Sequence, residues 1–290
     1  HFLIITLFSF AISATGKIDS FKDYPEAYEI VKKYTGEDYS SKFKDKFKDG
    51  LIYSGDGTAY GDSKSGGNCL FPKEEYYKDM MYAALNHDQY IDDLGCGLCA
   101  LVVSDSNPKR AIRIRILDQC PECEHGSLDF SDIAFEQLTG MPPARVKITW
   151  ALIPCDIEVG EYPALIKSEA PVKFKFKSGS TQYWSEVQVF NTRYPVVLLE
   201  AYVNDKWSEL YRRDYNYWAS KEGIGAAPYK FRVTLADSTV IICEDVEDEV
   251  LEKFVLANAK NDSLILLKGS NSMKLWELLP KIQNDVQGEN

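Results

Sequence analysis

The sequence predicts a mainly β protein of two domains. Three observations carry this. Short stretches alternate apolar and polar residues with a period of two, within residues 52–156 and again from Val172 onward. Six of the seven cysteines fall between Cys69 and Cys155. A Gly/Pro-containing joint, Ile157 to Pro163, separates the two patterned blocks. At 290 residues the chain is long enough to build two cores.

The elements follow in chain order. Phe2 to Ile12 is an apolar run of signal-peptide length, followed by Ser13, Ala14 and Gly16. Residues 1–16 therefore read as a truncated signal peptide, too short to span a membrane. Residues 17–51 form an N-terminal extension rich in Lys, Asp and Tyr. Within it, Tyr24 to Tyr34 reads as a short amphipathic helix, and the rest as solvated linker. In the first domain, 52–156, Ala111 to Leu117 alternates Ile112, Ile114 and Ile116 with Ala or Arg, which predicts a strand ending at Asp118. Ser131 to Leu138 reads as a helix with Ser131 as N-cap and Gly140 as stop, so Asp129 lies just ahead of it.

Two acids held at such boundaries suit glycosidic chemistry, in which one carboxyl must be protonated. The plain alternative is an Asp in a turn and an Asp near a cap. In the second domain, 164–245, strands are expected at Val172–Phe176, Ser185–Phe190, Val196–Val203, Tyr229–Leu235 and Thr239–Cys243. That set suggests a sandwich of two antiparallel sheets. Residues 246–290 form a C-terminal extension, with helices expected at Val246–Leu256 and Met273–Ile282 and a glycosylation sequon at Asn261.

Cys96-x2-Cys99 and Cys120-x2-Cys123 have the spacing of a four-thiolate zinc site. A secretory signal instead implies an oxidising compartment, and Cys69 with Cys155 completes an even set of six, which favours disulfides. Spacing alone leaves all fifteen pairings open. Cys243 stands apart, expected buried and unpaired. The three histidines, His1, His87 and His125, have no ligand spacing, so no metal and no cofactor are expected. A net charge of −11 argues against nucleic acid and against polyanionic matrices, and favours a neutral polysaccharide if the ligand is a sugar polymer.

The segment Ile114 to Phe135 with Thr149-Trp150, the upstream Thr58-Ala59-Tyr60-Gly61 and Cys96-Gly97-Leu98-Cys99 resemble the first domain of expansins. Lys177-Ser178-Gly179-Ser180-Thr181-Gln182-Tyr183-Trp184, Val187-Gln188-Val189, Tyr194-Pro195-Val196 and Asp214-Tyr215-Asn216 resemble their cellulose-binding domain, in the expected order. The resemblance implies a six-stranded double-psi β-barrel, shared with barwin and family 45 endoglucanases, followed by an immunoglobulin-like β-sandwich. It implies the pairs Cys69–Cys96, Cys99–Cys155 and Cys120–Cys123. It makes Asp129 the acid required for wall loosening, with Thr58 and Asp118 lining the groove. It makes Tyr183, Trp184 and Tyr215, flanked by Lys177, an aromatic row that stacks on glucose rings.

Two departures stand out. Cys120 occupies a position where expansins carry a Tyr. Asp62 ends a Thr58-x-Tyr60-x-Asp62 pattern, where family 45 enzymes place a catalytic base and most expansins have a non-acid. The expected function is a secreted, monomeric, expansin-like protein that binds cellulose or a related β-glucan and loosens wall or matrix polysaccharides without hydrolysis. The alternatives are an inverting endo-β-1,4-glucanase, with Asp129 as acid and Asp62 as base, and an inert carbohydrate-binding matrix protein. No nucleic-acid partner is expected, nor a membrane partner once the signal is removed.

Overall fold

The computed structural model describes residues 18–36, 39–44, 47, 50–62, 67–91, 93–167 and 171–246. The signal-peptide reading, the sequon at Asn261 and both helices expected in the C-terminal extension lie outside them. In chain order the first part holds α1 (Pro25–Tyr34), α2 (Ser41–Lys44), β1 (Ile52–Ala59), α3 (Lys73–Tyr76), β2 (Tyr82–Asn86), α4 (His87–Tyr90) and β3 (Cys99–Ser104). It continues with β4 (Asn107–Cys120), β5 (Leu128–Phe130), α5 (Asp132–Thr139) and β6 (Val146–Ile153). The second part holds β7 (Lys173–Phe176), β8 (Ser185–Phe190), β9 (Val196–Val203), β10 (Lys206–Glu209), β11 (Tyr211–Arg212), β12 (Trp218–Ser220), β13 (Tyr229–Leu235) and β14 (Val240–Val246). Among the described residues, no helix is long and apolar enough to cross a membrane.

β1 to β6 close into a mixed barrel in the order β1-β5-β2-β4-β3-β6. The pairs β1/β5 and β2/β4 are parallel, and the others are antiparallel. Ile112, Ile114 and Ile116 are fully buried, as their alternation requires. They join Trp150, Leu128 and Phe130 in the core. Trp150 donates its indole N–H to the Gly126 carbonyl at 2.9 Å, which satisfies the one polar atom of that buried ring. β4 runs two residues past Asp118 to Cys120, so this acid lies within a strand and not at its end. The register of β2 against β4 shifts between Ala83 and Ala84, which pair with Ile116 and Asp118 and skip Leu117. Such a bulge re-aims the side chains that follow it.

Two antiparallel four-stranded sheets make the second part, β10-β9-β13-β14 and β11-β12-β8-β7. Val187, Val189, Leu199, Phe231 and Val233 fill the core there. The short strands β10 to β12 are not legible as strands in the sequence, being two to four residues long.

The described residues of the N-terminal extension do not read as solvated linker. α1 forms as expected, with Pro25 in its first turn. Its Ala27 and Val31 join Phe21 against Ile153 and the Cys99–Cys155 bridge. Tyr39, Phe43 and Phe47 are also buried. Their spacing of four puts them on one side of a helical turn, where Phe43 stacks on Phe47 at 4.5 Å and Tyr39 meets the second part at Tyr194. The surrounding lysines gave this segment a linker-like composition, and the aromatic stripe overrides it.

Polar contacts join the two parts. Cys69 O accepts from Gln188 Nε2 and Asn216 Nδ2, both at 2.9 Å. The Asn216 N–H donates to Asp93 Oδ2 at 2.5 Å, and Arg212 donates to Asp93 O at 2.7 Å. Burial raises the Asp93 pKa, partly offset by the Tyr90, Asn216 and Arg212 donors and charge. Asn216 sits at φ +59°, in the left-handed region that Asn tolerates best after Gly. Asn216→Ala should destabilise the protein by about 2 kcal/mol, combining the loss of one of the two donors to Cys69 O and a left-handed Ala. Asn216→Gly should lose the contacts without the backbone term, so its melting temperature should fall between wild type and Ala.

Candidate functional site

The site grows from one row of residues. Across β1, β5, β2 and β4 the register aligns Thr58 with Asp129, Asp129 with Ala84, and Ala84 with Asp118. Residues opposite one another on neighbouring strands share a face. Thr58, Asp129 and Asp118 therefore point the same way, with the small Ala84 between the acids. Two strand spacings put the acid backbones about 10 Å apart. The bulge at Leu117 is what turns Asp118 onto this face.

Thr58 donates its hydroxyl to Asp129 Oδ1 at 2.5 Å. Burial raises the Asp129 pKa, and the Thr58 donor opposes the rise; the charges of Glu122 and Asp118 add to it, while Arg145 lowers it. Asp118 Oδ1 accepts from the backbone N–H of Asn68 at 2.7 Å and of Gln119 at 2.9 Å. Gly67 lies against it at φ +52°, and a Cβ there would come within 2.4 Å of Leu117 O. Only a glycine lets that loop pass so close.

The tyrosine that Cys120 displaces has substitutes. Tyr60, Tyr77 and Tyr82 stand near the acids: Asp118 raises the pKa of all three, and Asp129 that of Tyr60, in addition to the larger effect of burial. Tyr82 is pushed up to about 12, so its hydroxyl is protonated at any physiological pH. Tyr77 and Tyr60 pack edgewise on Tyr82 at 5.0 and 6.2 Å. Tyr77 and Tyr82 carry no motif in the sequence. The Cys120–Cys123 bridge itself comes up beside the acid: both Sγ atoms and a carboxylate oxygen of Asp129 lie within 4.8 Å of one another.

Asp62 is employed elsewhere. Its Oδ1 accepts the Ile133 N–H at 3.2 Å, at the start of α5, while Asp132 accepts the Gly61 N–H at 3.1 Å. The exposed Asp62 thus caps a helix N-terminus, where a negative charge is stabilised. Ser131 is the N-cap proper, accepting from Ala134 N at 3.0 Å.

The three bridges are Cys69–Cys96, Cys99–Cys155 and Cys120–Cys123. With all four CxxC thiols in disulfides, the zinc alternative is removed. Cys243 is free and half-buried, and burial raises its pKa.

On the second part, Tyr183 and Trp184 precede β8 in a turn closed by Thr181 N–H to Trp184 O at 2.6 Å and Trp184 N–H to Thr181 O at 3.2 Å. Off the regular strand they escape its alternation, and both are exposed, at 73% and 41%. Gly223, at φ +75°, lies against this turn so closely that a Cβ would meet Gln182 O at 2.0 Å. Two residues along, Glu186 is buried at 2% exposure and binds everything around it. Its carboxylate accepts from Tyr215 Oη at 2.8 Å and Lys177 Nζ at 2.7 Å, with Arg213 Nε at 3.3 Å. Lys177 lies 4.3 Å from the Tyr215 ring centroid and its pKa is raised, chiefly by the Glu186 bond. Glu186 thereby gathers Tyr215, Lys177 and Arg213 two residues after the Tyr183–Trp184 turn. Nothing in the sequence singles out Glu186.

No protein-family model matches the chain. Over 184 residues it is 27% identical to Expansin-YoaJ of Bacillus subtilis, covering 63% of this chain and 73% of that protein. The crystal structure of apo Clavibacter michiganensis expansin matches with a TM-score of 0.57 at 26% identity, covering 68% of this chain and 92% of that one. The chain is similar to expansins in both sequence and fold. Expansin-like protein 1 of Dictyostelium discoideum is 25% identical over 190 residues, 60% of each protein. A point mutant of the Clavibacter expansin, solved in complex with cellohexaose, matches with a TM-score of 0.56 at 25% identity and the same coverage. The mixed barrel followed by two antiparallel sheets is the expansin fold.

Proposed function

We propose that this chain is a secreted protein that adsorbs to cellulose or a related β-glucan and loosens polysaccharide contacts without hydrolysis. The observation that carries the reading is the exposed pair Tyr183 and Trp184, in a chain that also holds Tyr215 against Lys177 and whose structural relative is solved with cellohexaose. Aromatic faces bury the apolar faces of glucose rings at little entropic cost, and the buried Glu186 holds Tyr215 in place. Three disulfides in the first part suit an extracellular setting.

The adsorbed protein then presents the row Thr58, Asp129 and Asp118 to one glucan strand. The half-buried Asp129 carboxyl keeps its proton to higher pH than an ordinary carboxylate and donates it to a glucan oxygen. Asp118 accepts from glucan hydroxyls, and the tyrosines pack on the rings. Strand–strand hydrogen bonds give way to protein–strand ones, and no covalent bond breaks. Inversion requires a base about 6.5–9.5 Å from the acid with a water between them. Asp62 serves the α5 terminus instead, which supports the non-hydrolytic reading over the endoglucanase.

Reducing-end release from amorphous cellulose and mixed-linkage glucan should stay at background for wild type and Asp62→Asn alike, while cellulose-rich paper creeps under load in the presence of the wild type. Release that vanishes in Asp62→Asn would make the chain an endoglucanase. Adsorption without creep would make it an inert matrix protein.

A further inference from the structure

The three bridges are not equivalent. Cys69, Cys96, Cys99 and Cys155 are at most 3% exposed, sealed in the two cores. The Cys120–Cys123 bridge stands apart from them in three ways. It closes a loop of sequence separation 3, Cys120-Pro121-Glu122-Cys123, whose Pro121 and Glu122 are exposed. Its sulfurs differ in access: Cys123 is half-exposed, and Cys120, the last residue of β4, is buried at 4%. A carboxylate oxygen of Asp129 lies within 4.8 Å of both sulfurs. Glucan binding requires none of these features. Together they favour exchange: an accessible sulfur to attack and a departing sulfur held by the fold, with an acid placed to give the departing thiolate a proton.

We propose that Cys120–Cys123 is a thiol–disulfide exchange site for small-molecule thiols, with Cys123 the sulfur attacked and Asp129 the proton donor to Cys120. The steps balance. A thiolate RS⁻ attacks Cys123 Sγ along the line of the S–S bond, forming RS–SγCys123 and releasing the electron pair to Cys120 Sγ. The Asp129 carboxyl gives its proton to that thiolate and becomes a carboxylate. A second RS⁻ attacks the sulfur of the bound R group, forming RSSR and releasing the Cys123 thiolate, which takes a proton from water. Two thiols are oxidised to one disulfide, and the bridge is reduced to two thiols. Burial, which holds the Asp129 proton in place above the usual carboxylate range, supports the role. The same acid faces the groove, so reduction of the bridge loosens the turn beside it and makes the groove responsive to the thiol content of its surroundings. This does not rest on the glucan reading, since the exchange needs no polysaccharide.

The test uses the full chain with Cys243→Ser, which removes the free thiol. Native protein is treated with dithiothreitol, quenched with an alkylating agent at intervals, and mapped by mass spectrometry. Cys120 and Cys123 should be alkylated together at least about tenfold faster than either buried pair, because exchange rates follow access. Asp129→Asn should slow that opening about tenfold or more at mildly acidic pH, with a smaller effect in alkali, where the departing thiolate is stable without a proton. Asp129→Glu, should Asn disturb the fold by circular dichroism, should retain part of the rate. The reduced protein should in turn reduce an aromatic disulfide with a stoichiometry of one. Three bridges opening together, opening only under denaturant, or an Asp129→Asn rate equal to wild type across pH would overturn the proposal.

Discussion

Replacing Asp129 by Asn is expected to cut creep of cellulose-rich paper at least about tenfold while leaving adsorption to cellulose unchanged. The substitution preserves shape. Asn keeps an oxygen to accept the Thr58 hydroxyl, now at 2.5 Å from Asp129 Oδ1, and replaces the other oxygen by an NH2 group. What disappears is an acidic O–H able to donate to a glucan oxygen and to pass its proton on. Removing a hydrogen bond so that its partner is left unsatisfied costs about 1–3 kcal/mol, which corresponds to about a tenfold effect or more.

The pH dependence follows from the direction of the shift. Burial raises the Asp129 pKa, so wild-type creep should rise as pH falls through a value above the ordinary carboxylate range. Residual creep of Asp129→Asn should be flat across that window. The stability contribution of Asp129 should change with pH in the same direction. A carboxyl whose folded pKa exceeds its unfolded one favours the folded state fully below the unfolded pKa and loses that contribution as pH rises through the folded pKa. Asp129→Asn should therefore melt higher than wild type at neutral pH, with the difference vanishing in acid. Equal creep with a lower melting temperature would reduce Asp129 to a structural residue. The expected pattern is that of a functional group which the fold tolerates at a cost to itself.

Asp129 and Asp118 were legible one by one, and the relation between them was not. The alternation of Ile112, Ile114 and Ile116 locates a strand before Asp118, and Ser131 with Gly140 brackets a helix after Asp129. What aligns the acids is a β-bulge that skips Leu117 and an anonymous Ala84 between them. Register across non-consecutive strands leaves no local signature. Tyr77 and Tyr82 were unreadable for the same reason, as their place depends on β2 crossing between β5 and β4.

Glu186 looks like any strand carboxylate until Lys177, Arg213 and Tyr215 are folded over it. Asn216 lies inside the recognised Asp214-Tyr215-Asn216 triplet, but its work at Asp93 and Cys69 is tertiary. The stripe Tyr39, Phe43 and Phe47 was readable, since a spacing of four is a helical signal. Composition was weighed more heavily there than periodicity.

Truncating Tyr183 and Trp184 together to Ala should lower cellulose adsorption at least about a hundredfold without changing the melting temperature appreciably. At 73% and 41% exposure neither ring contributes much to the core, so the change removes ligand contact rather than packing. Burying a large apolar side chain is worth about 1.5–3 kcal/mol, so losing two rings from one contact face corresponds to about a hundredfold or more. Tyr215→Phe separates platform from network. It keeps the ring and removes the hydroxyl that binds Glu186 at 2.8 Å and accepts from Lys177 at 3.0 Å. Adsorption should then fall by only a few fold, because the ring remains but is less firmly oriented. Salt should weaken neither effect greatly, since the contacts are apolar on a chain of net charge −11 facing a neutral polymer. If the double Ala variant adsorbs like wild type, the face beside Trp184 is not the cellulose-binding one. Creep that persists at normal adsorption in that variant would assign both steps to the barrel groove.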